Sequence, residues 1–400
     1  MRLSSMPDNL KLYQTLWDRL GQSAQGRLTF AEFMDLVLYH PELGYYSAPT
    51  PVIGPEGHFI TSPHLESDFA ELIGEQCVEL WHHLQRPDPF HLVEMGAGQG
   101  IMAADLLTYL QNHHRDYFAV LRYLIVERSA SLKTLQQRRL QPWSDRVSWQ
   151  PLEAIKDNSL VGCFFSNELV DALPVHQVVL TEDGLAEVYV TLESGDGNQL
   201  QEVIAPLSTC QLRDYFALMG IDLCQPAYPL GYRTEVNLQA LDWIKTLACK
   251  LRRGYVITID YGYPAHRYYS PARCQGTLQC YYQHSHHNNP YSHLGQQDIT
   301  AHVNFTALER QGNRWGLATL GLTHQALFLM GLGLGDRLNA LTQITTTDPE
   351  AMNGALARRE RLQQLISPLG LGNFLVLVQG KNLPNPSTTL SGLRELQISR

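Results

Sequence analysis

The chain is poor in cysteine, short of positive charge, and without a long apolar run. Its 400 residues include seven cysteines. These are Cys77, Cys163, Cys210, Cys224, Cys249, Cys274 and Cys280, an odd and scattered set without a C-x-x-C pair. That excludes a disulfide framework and points to reduced thiols. No stretch approaches the roughly 18 apolar residues a membrane-spanning helix needs, so no span is expected. Lys and Arg number 30 against 39 Asp and Glu, a formal net charge of −9. A nucleic-acid binder shows the opposite balance. The start, MRLSSMPDNLKLYQTL, has no apolar signal core, carries Asp8, and lacks the Arg- and Ser-rich look of a transit peptide. A cytoplasmic location is therefore expected. There is no P-loop, no G-x-S-x-G elbow and no internal repeat. His284, His286, His287 and His293, near Cys274 and Cys280, match no common zinc spacing, so no metal is expected.

What is present is a globular core. Hydrophobic residues make up 44% of the chain. Residues 1–85 read as helices around a Gly/Pro-rich loop, with Thr29 and Glu32 as a capping box. From there strands and helices alternate. HLVEM, RYLIVE (122–127), VSWQ and VGCFFSNE (161–168) are separated by helical segments, and GYVITIDYG (254–262) and FLVLVQG (374–380) complete the set. Strand–helix alternation with apolar strands predicts a parallel, doubly wound α/β sheet of the Rossmann type. Residues 86–382 form that domain, with insertions near 176–235 and 263–305. The first insertion alternates with period two and predicts antiparallel strands turning at Asp183-Gly184 and Asp196-Gly197. Residues 322–345 read as helical. The tail 383–400 reads as disordered.

The stretch VEMGAGQG (93–100) closes the first of these strands. Gly96, Gly98 and Gly100 form a strand-to-helix turn that lets backbone amides approach a ligand. A dinucleotide fingerprint requires glycine at 101, where this chain has Ile101. Glu94, two residues before the first glycine, would repel a pyrophosphate. S-adenosylmethionine (SAM) carries no phosphate. It carries a sulfonium and an ammonium, which a nearby acid favours. Glu127 ends the second strand, where a carboxylate can accept both ribose hydroxyls of an adenosine. NAD enzymes place an acid there too, and a ligand-free tight turn is the plain alternative.

FFSNELVDALPVHQV (164–178) follows the fourth strand, where open parallel sheets place their ligands. Asn167, Glu168 and Asp171 cluster there. A helical turn beginning after Asn167 would put Glu168 and Asp171 on one side, and two such carboxylates ask for a cation between them. A guanidinium is one, held through its N–H groups while a carboxylate takes the released proton. The plain alternative is a helix N-capped by Asn167. Asp260, ending the fifth strand, suits a substrate or a structural role. Asp298 and Thr300 read as a cap or loop brace, and the tyrosines of 261–291 as loop packing.

NELVDALPV resembles the N-E-x-x-D-A-x-P signature of the MidA-like family of class I SAM-dependent methyltransferases. HPELGYYS (40–47), GHFITSPHLESDFAELIGEQ (57–76), VEMGAGQG, DYG (260–262) and GTLQCYYQHSHHNNPYSHLGQQDITAHVNF (276–305) match other family stretches in order. The resemblance covers roughly 28–380. It implies a seven-stranded methyltransferase sheet with an N-terminal helical cap. It further implies methylation of an arginine on a protein, a respiratory complex I-type subunit, since the family includes the mitochondrial complex I assembly factor. A non-catalytic SAM-binding assembly factor and a small-molecule methyltransferase are the alternatives. In the 57–76 segment the resemblance assigns Thr61, Ser62 and Pro63 to the cofactor, while His58 and His64 depart from the usual Asp and Glu. It draws in His302 as a proton acceptor or substrate positioner, with a buried structural histidine as the alternative.

Overall fold

The computed structural model describes residues 8–47, 62, 65, 67–193, 199–283, 285–344, 348–385 and 387–394. The apolar alternation is realised as a seven-stranded sheet. Its strands in chain order are β1 (Phe90–Met95), β2 (Leu121–Val126), β3 (Val147–Trp149), β4 (Leu160–Asn167), β5 (Leu251–Asp260), β6 (Ala318–His324) and β7 (Leu375–Lys381). They lie in the order β6-β7-β5-β4-β1-β2-β3. β1 to β5 run parallel, and β7 is antiparallel to both β5 and β6. Order reverses between β1 and β4, so a crevice opens at their carboxyl ends.

Period-two placement decides which side chains meet which layer. Phe90 and Leu92 of β1, with Cys163 and Phe165 of β4, pack under the helices Ser67–His83 and Ile101–His113. Val93, Met95 and Phe164 face the other layer, against Trp243, Ile244 and Leu247 of the helix Leu238–Lys250. Glu94 therefore shares the face of Phe90 and Leu92, at the open end of the strand.

A second sheet forms the other lobe. His176–Thr181, Gly184–Leu192, Leu200–Ala205 and Arg233–Val236 pair antiparallel, with Arg27–Thr29 added beside Gly184–Leu192. The turn at Asp183-Gly184 occurs where the sequence predicts it; Asp196-Gly197 lies outside the described residues. Thr29 caps the helix Phe30–Tyr39 through the expected box with Glu32.

Four expectations change. The boundary at residue 85 moves. The helices Asp8–Gln22 and Phe30–Tyr39 bury Leu12, Leu16, Phe30 and Phe33 against Val175, Val190, Cys280 and Ile299 of the second lobe, whereas Ser67–His83 belongs to the main sheet. Residues 322–345 are not all helix: β6 takes the first part, because its segment ATLGLTH satisfies the edge of β7 before the helices Gln325–Gly331 and Leu334–Thr342 begin. The insertion 263–305 holds its own small sheet, including Asp298–Thr300, so those residues are strand, not helix cap. Finally, the described part of the tail is packed. Leu390 is buried, Ser391 donates from its amide and hydroxyl to Glu79, and Gly392 N donates to Gln76 Oε1 at 3.3 Å.

Candidate active site

A cavity of about 850 Å³ occupies the crevice between the two lobes. Its floor is the β1 turn, with Glu94, Gly96 and Gly98. One wall is the end of β2 with Glu127 and Arg128, another is the β4 end with Asn167 and Glu168, and the roof is Tyr39 and Tyr46.

The glycine turn is built by left-handed backbone. Gly96, Gly98 and Gly100 have φ of 72°, 52° and 73°, a region costly for other residues. Gly96 lets the β4 turn come close: a Cβ there would lie 2.8 Å from Leu169 Cδ1. At Gly98 a Cβ would meet nothing within 4 Å. Its surroundings are cavity. Gly100 departs from the expectation. It opens the helix Ile101–His113 and packs on Gln136, and it does not border the cavity.

The acids behave as their surroundings dictate. Glu94 is buried, accepts from Tyr123 OH at 2.8 Å, and is pushed up to about 7 by burial, with Glu127 adding to the rise. Glu127 accepts from Ser129 N at 2.9 Å and Gln136 Nε2 at 3.0 Å. The sequence reading missed Gln136. Fully buried, it also donates to Gly98 O at 2.8 Å and accepts from Trp149 Nε1 at 2.9 Å. It thereby ties the glycine turn to the β2 acid. Gln136→Leu removes these bonds while keeping bulk. We expect KM for SAM to rise about tenfold with kcat within about twofold, the size of one lost buried hydrogen bond. Steady-state kinetics in SAM checks it, and a selective kcat loss would contradict the tie.

At the β4 end the expected helix is absent. β4 stops at Asn167, and Glu168 takes φ 53°, a strained state for a non-glycine residue. The strain is held by neighbours. Glu168 N donates to Ile259 O at 2.9 Å. Asp260 accepts from Val170 N (2.9 Å) and Asp171 N (3.2 Å) through Oδ2, and from Tyr261 N (2.9 Å) through Oδ1. A distant carboxylate has captured the amides that a helix would have used. Asp260 is thus the brace of this turn.

Glu168 faces the cavity and accepts from Asn167 Nδ2 at 2.9 Å and Ser62 N at 3.3 Å. Ser62 reaches this acid and does not border the cavity; Thr61, Pro63, His58 and His64 lie outside the described residues. Asp171 sits behind, 6% exposed, off the cavity wall. Asn167 Oδ1 and Asp171 Oδ1 are buried without a hydrogen-bond partner. Asp298 joins the group and accepts from Tyr46 OH at 2.8 Å. Among the described residues no basic side chain contributes to the environment of Glu168, Asp171 or Asp298. Burial raises all three, to about 8, 6 and 7, with Asp171 adding to the rise at Glu168 and Asp298. Among the described residues no cluster of His, Cys, Asp and Glu could hold a metal.

His302 takes the place of its structural alternative. Its ring stacks on Tyr263 at 5.1 Å and 8°, its amide donates to Thr277 Oγ1, and it does not border the cavity. Burial lowers it to about 4, so it stays neutral within the insertion.

These raised carboxyls have a stability consequence. Their pKa is higher folded than unfolded, so their contribution is complete below about 4 and is lost as pH rises through the folded values. We expect the ligand-free Tm to fall between pH 6 and 9, and to fall less in Glu168→Gln. Thermal unfolding across that range checks it; a rising Tm would contradict it.

Comparison with known proteins follows the same lines. The profile of an S-adenosyl-L-methionine-dependent methyltransferase family matches residues 72–323. A superfamily member from Burkholderia thailandensis, crystallised with S-adenosyl-homocysteine, is 31% identical with a TM-score of 0.83, over 96% of this chain and 95% of that one. The mitochondrial protein arginine methyltransferase NDUFAF7 of Xenopus tropicalis is 28% identical over 80% of this chain and 75% of its own length. The Rattus norvegicus protein of the same name is 26% identical over 93% and 88%. These relatives are named mitochondrial, which overturns the cytoplasmic expectation. Scattered reduced thiols fit any reducing compartment and could not discriminate between them.

Proposed function

The chain belongs to the MidA-like family of S-adenosyl-L-methionine-dependent methyltransferases, and from that premise we propose that it methylates an arginine side chain of a protein. The observation that carries this reading is the β4 end: a cavity-facing carboxylate backed by orphaned buried acceptors, with no basic side chain among the described residues acting on its acids. An unpartnered buried acceptor costs about 1–3 kcal/mol. A planar guanidinium, rich in N–H donors and always charged, answers that deficit.

The cavity residues fit the cofactor. Glu94 suits the ammonium of the methionine end, Glu127 the ribose hydroxyls, and the open face of Gly98 the close approach of the chain between them. SAM, when bound, supplies an electrophilic methyl on a sulfonium. Glu168 would then hold the guanidinium N–H groups, turn one nitrogen toward that methyl, and take the proton released as the N–C bond forms and the S–C bond breaks. Asn167 fixes the Glu168 carboxylate through its amide. Asp171 adds negative charge behind it. Pushed up to about 8 by burial, Glu168 is mostly protonated at neutral pH in the ligand-free protein, and a bound guanidinium favours its ionised form.

The curated relatives named as protein arginine methyltransferases support a protein acceptor, and the family resemblance supports a respiratory complex I-type subunit as the partner. Incubation with labelled SAM and such a subunit, followed by peptide mapping, tests the reading. Label on an arginine is expected. SAM binding with no label on the subunit would favour the non-catalytic assembly factor, and label on a small metabolite alone would favour the small-molecule enzyme.

A further inference from the structure

Tyr39 and Tyr46 come from the end of the helix Phe30–Tyr39 and the turn after it, far in sequence from either half of the site. Both rings border the cavity, and they face each other at 5.3 Å and 30°. The Arg128 guanidinium lies 4.4 Å over the Tyr39 ring, next to Glu127. Both residues therefore border the cofactor cavity, with Arg128 over a face of Tyr39. Their hydroxyls bond elsewhere. Tyr39 OH donates to Ala172 O at 2.9 Å, inside the turn that carries Glu168 and Asp171. Tyr46 OH donates to Asp298 Oδ1 at 2.8 Å. Asp298 stands three residues before Ala301, whose amide donates to Asp171 O at 2.9 Å. Burial and the nearby Asp298 raise both phenols far above their ordinary range, so each hydroxyl stays a proton donor.

We propose that Tyr39 and Tyr46 are positioning residues that couple the cofactor cavity to the acceptor carboxylates, one through the backbone of the 168–173 turn and the other through Asp298. Each side chain spans the boundary between the two subsites: ring against cofactor, hydroxyl against the acid cluster. Ligand pressed on the rings fixes the hydroxyls, and the hydroxyls fix the turn. The proposal rests on the reading of Glu168 and Asp171 as acceptor-side groups. Among the described residues the groups facing Asp298 are Asp171, Tyr39, Tyr45, Tyr46, Tyr281 and Cys280, none of them basic.

Tyr39→Phe and Tyr46→Phe keep the rings and delete the bonds. Two readouts separate the coupling from the substrate assignment. Hydrogen exchange needs no acceptor: S-adenosyl-homocysteine is expected to slow exchange of the Ala301 amide, which lies off the cavity wall, in wild type and not in Tyr39→Phe or Tyr46→Phe. Equal protection in wild type and both variants overturns the coupling, whatever the acceptor proves to be. With an arginine substrate, kcat is expected to fall about tenfold, short of the roughly 10²-fold a 1 Å misplacement can cost, with KM for SAM within about twofold. Tyr46→Phe also removes a donor to Asp298, raising its pKa, so the acid limb of the pH–rate profile should move to higher pH. Unchanged kcat and profile in both variants overturn the proposal, as does a loss confined to SAM affinity, which would make the tyrosines cavity wall alone.

Discussion

Glu168→Gln is expected to retain SAM affinity within about threefold and to lower kcat by about 10²–10⁴, the usual weight of a positioned acid–base group. The substitution keeps the side-chain volume and the strained backbone. On the proposed reading it removes the charge that would hold a guanidinium and the base that would take its proton. Ser62 N and Asn167 Nδ2, which now donate to Oε1, still have an oxygen to meet. Calorimetric titration with SAM and single-turnover methyl transfer separate the two effects. Normal turnover would remove Glu168 from the chemistry. Lost SAM binding would place it with the cofactor instead.

The second large effect is at Gly98. Valine there places a branched side chain into cavity space and forces φ 52° on a residue that resists it. SAM affinity is expected to fall at least about 100-fold, or about 2.7 kcal/mol, with the fold retained. Strain alone could loosen the turn, so Gly98→Ala provides the comparison. It carries much of the backbone cost of a positive φ with far less bulk and should lose far less affinity. Equal losses would make strain, not cavity filling, the cause. Wild-type affinity in Gly98→Val would move the cofactor elsewhere.

The sheet was legible because its strands are apolar throughout and punctuated by helices, and β1 announced itself through Glu94 and the glycines. β6 was not, because a half-exposed edge strand running into two helices carries no clean period. The site was legible in its residues more than in its shape. Glu168 and Asp171 lie three apart, which in isolation favours a helical turn. Asp260 overrides that by taking the amides of residues 89 and 90 positions away. Tyr46 and Asp298 meet across 252 positions. Such pairings depend on how the lobes close, and no local period reports them. His302 shows the converse: a suggestive residue in a matching motif that folding directs into packing. Gln136 carried a weak signal, a lone amide on the helix after the second acid, visible only once Glu127 is placed.

The measurement that tests the central claim most directly is single-turnover methyl transfer from the preformed wild-type SAM complex to two peptides that differ only in Arg against Lys. If the β4 acids hold a planar donor-rich cation as proposed, the arginine peptide should be labelled at least about 100-fold faster, a difference of about 2.7 kcal/mol. Equal rates, or faster labelling of lysine, would contradict the guanidinium reading while leaving the methyltransferase fold in place.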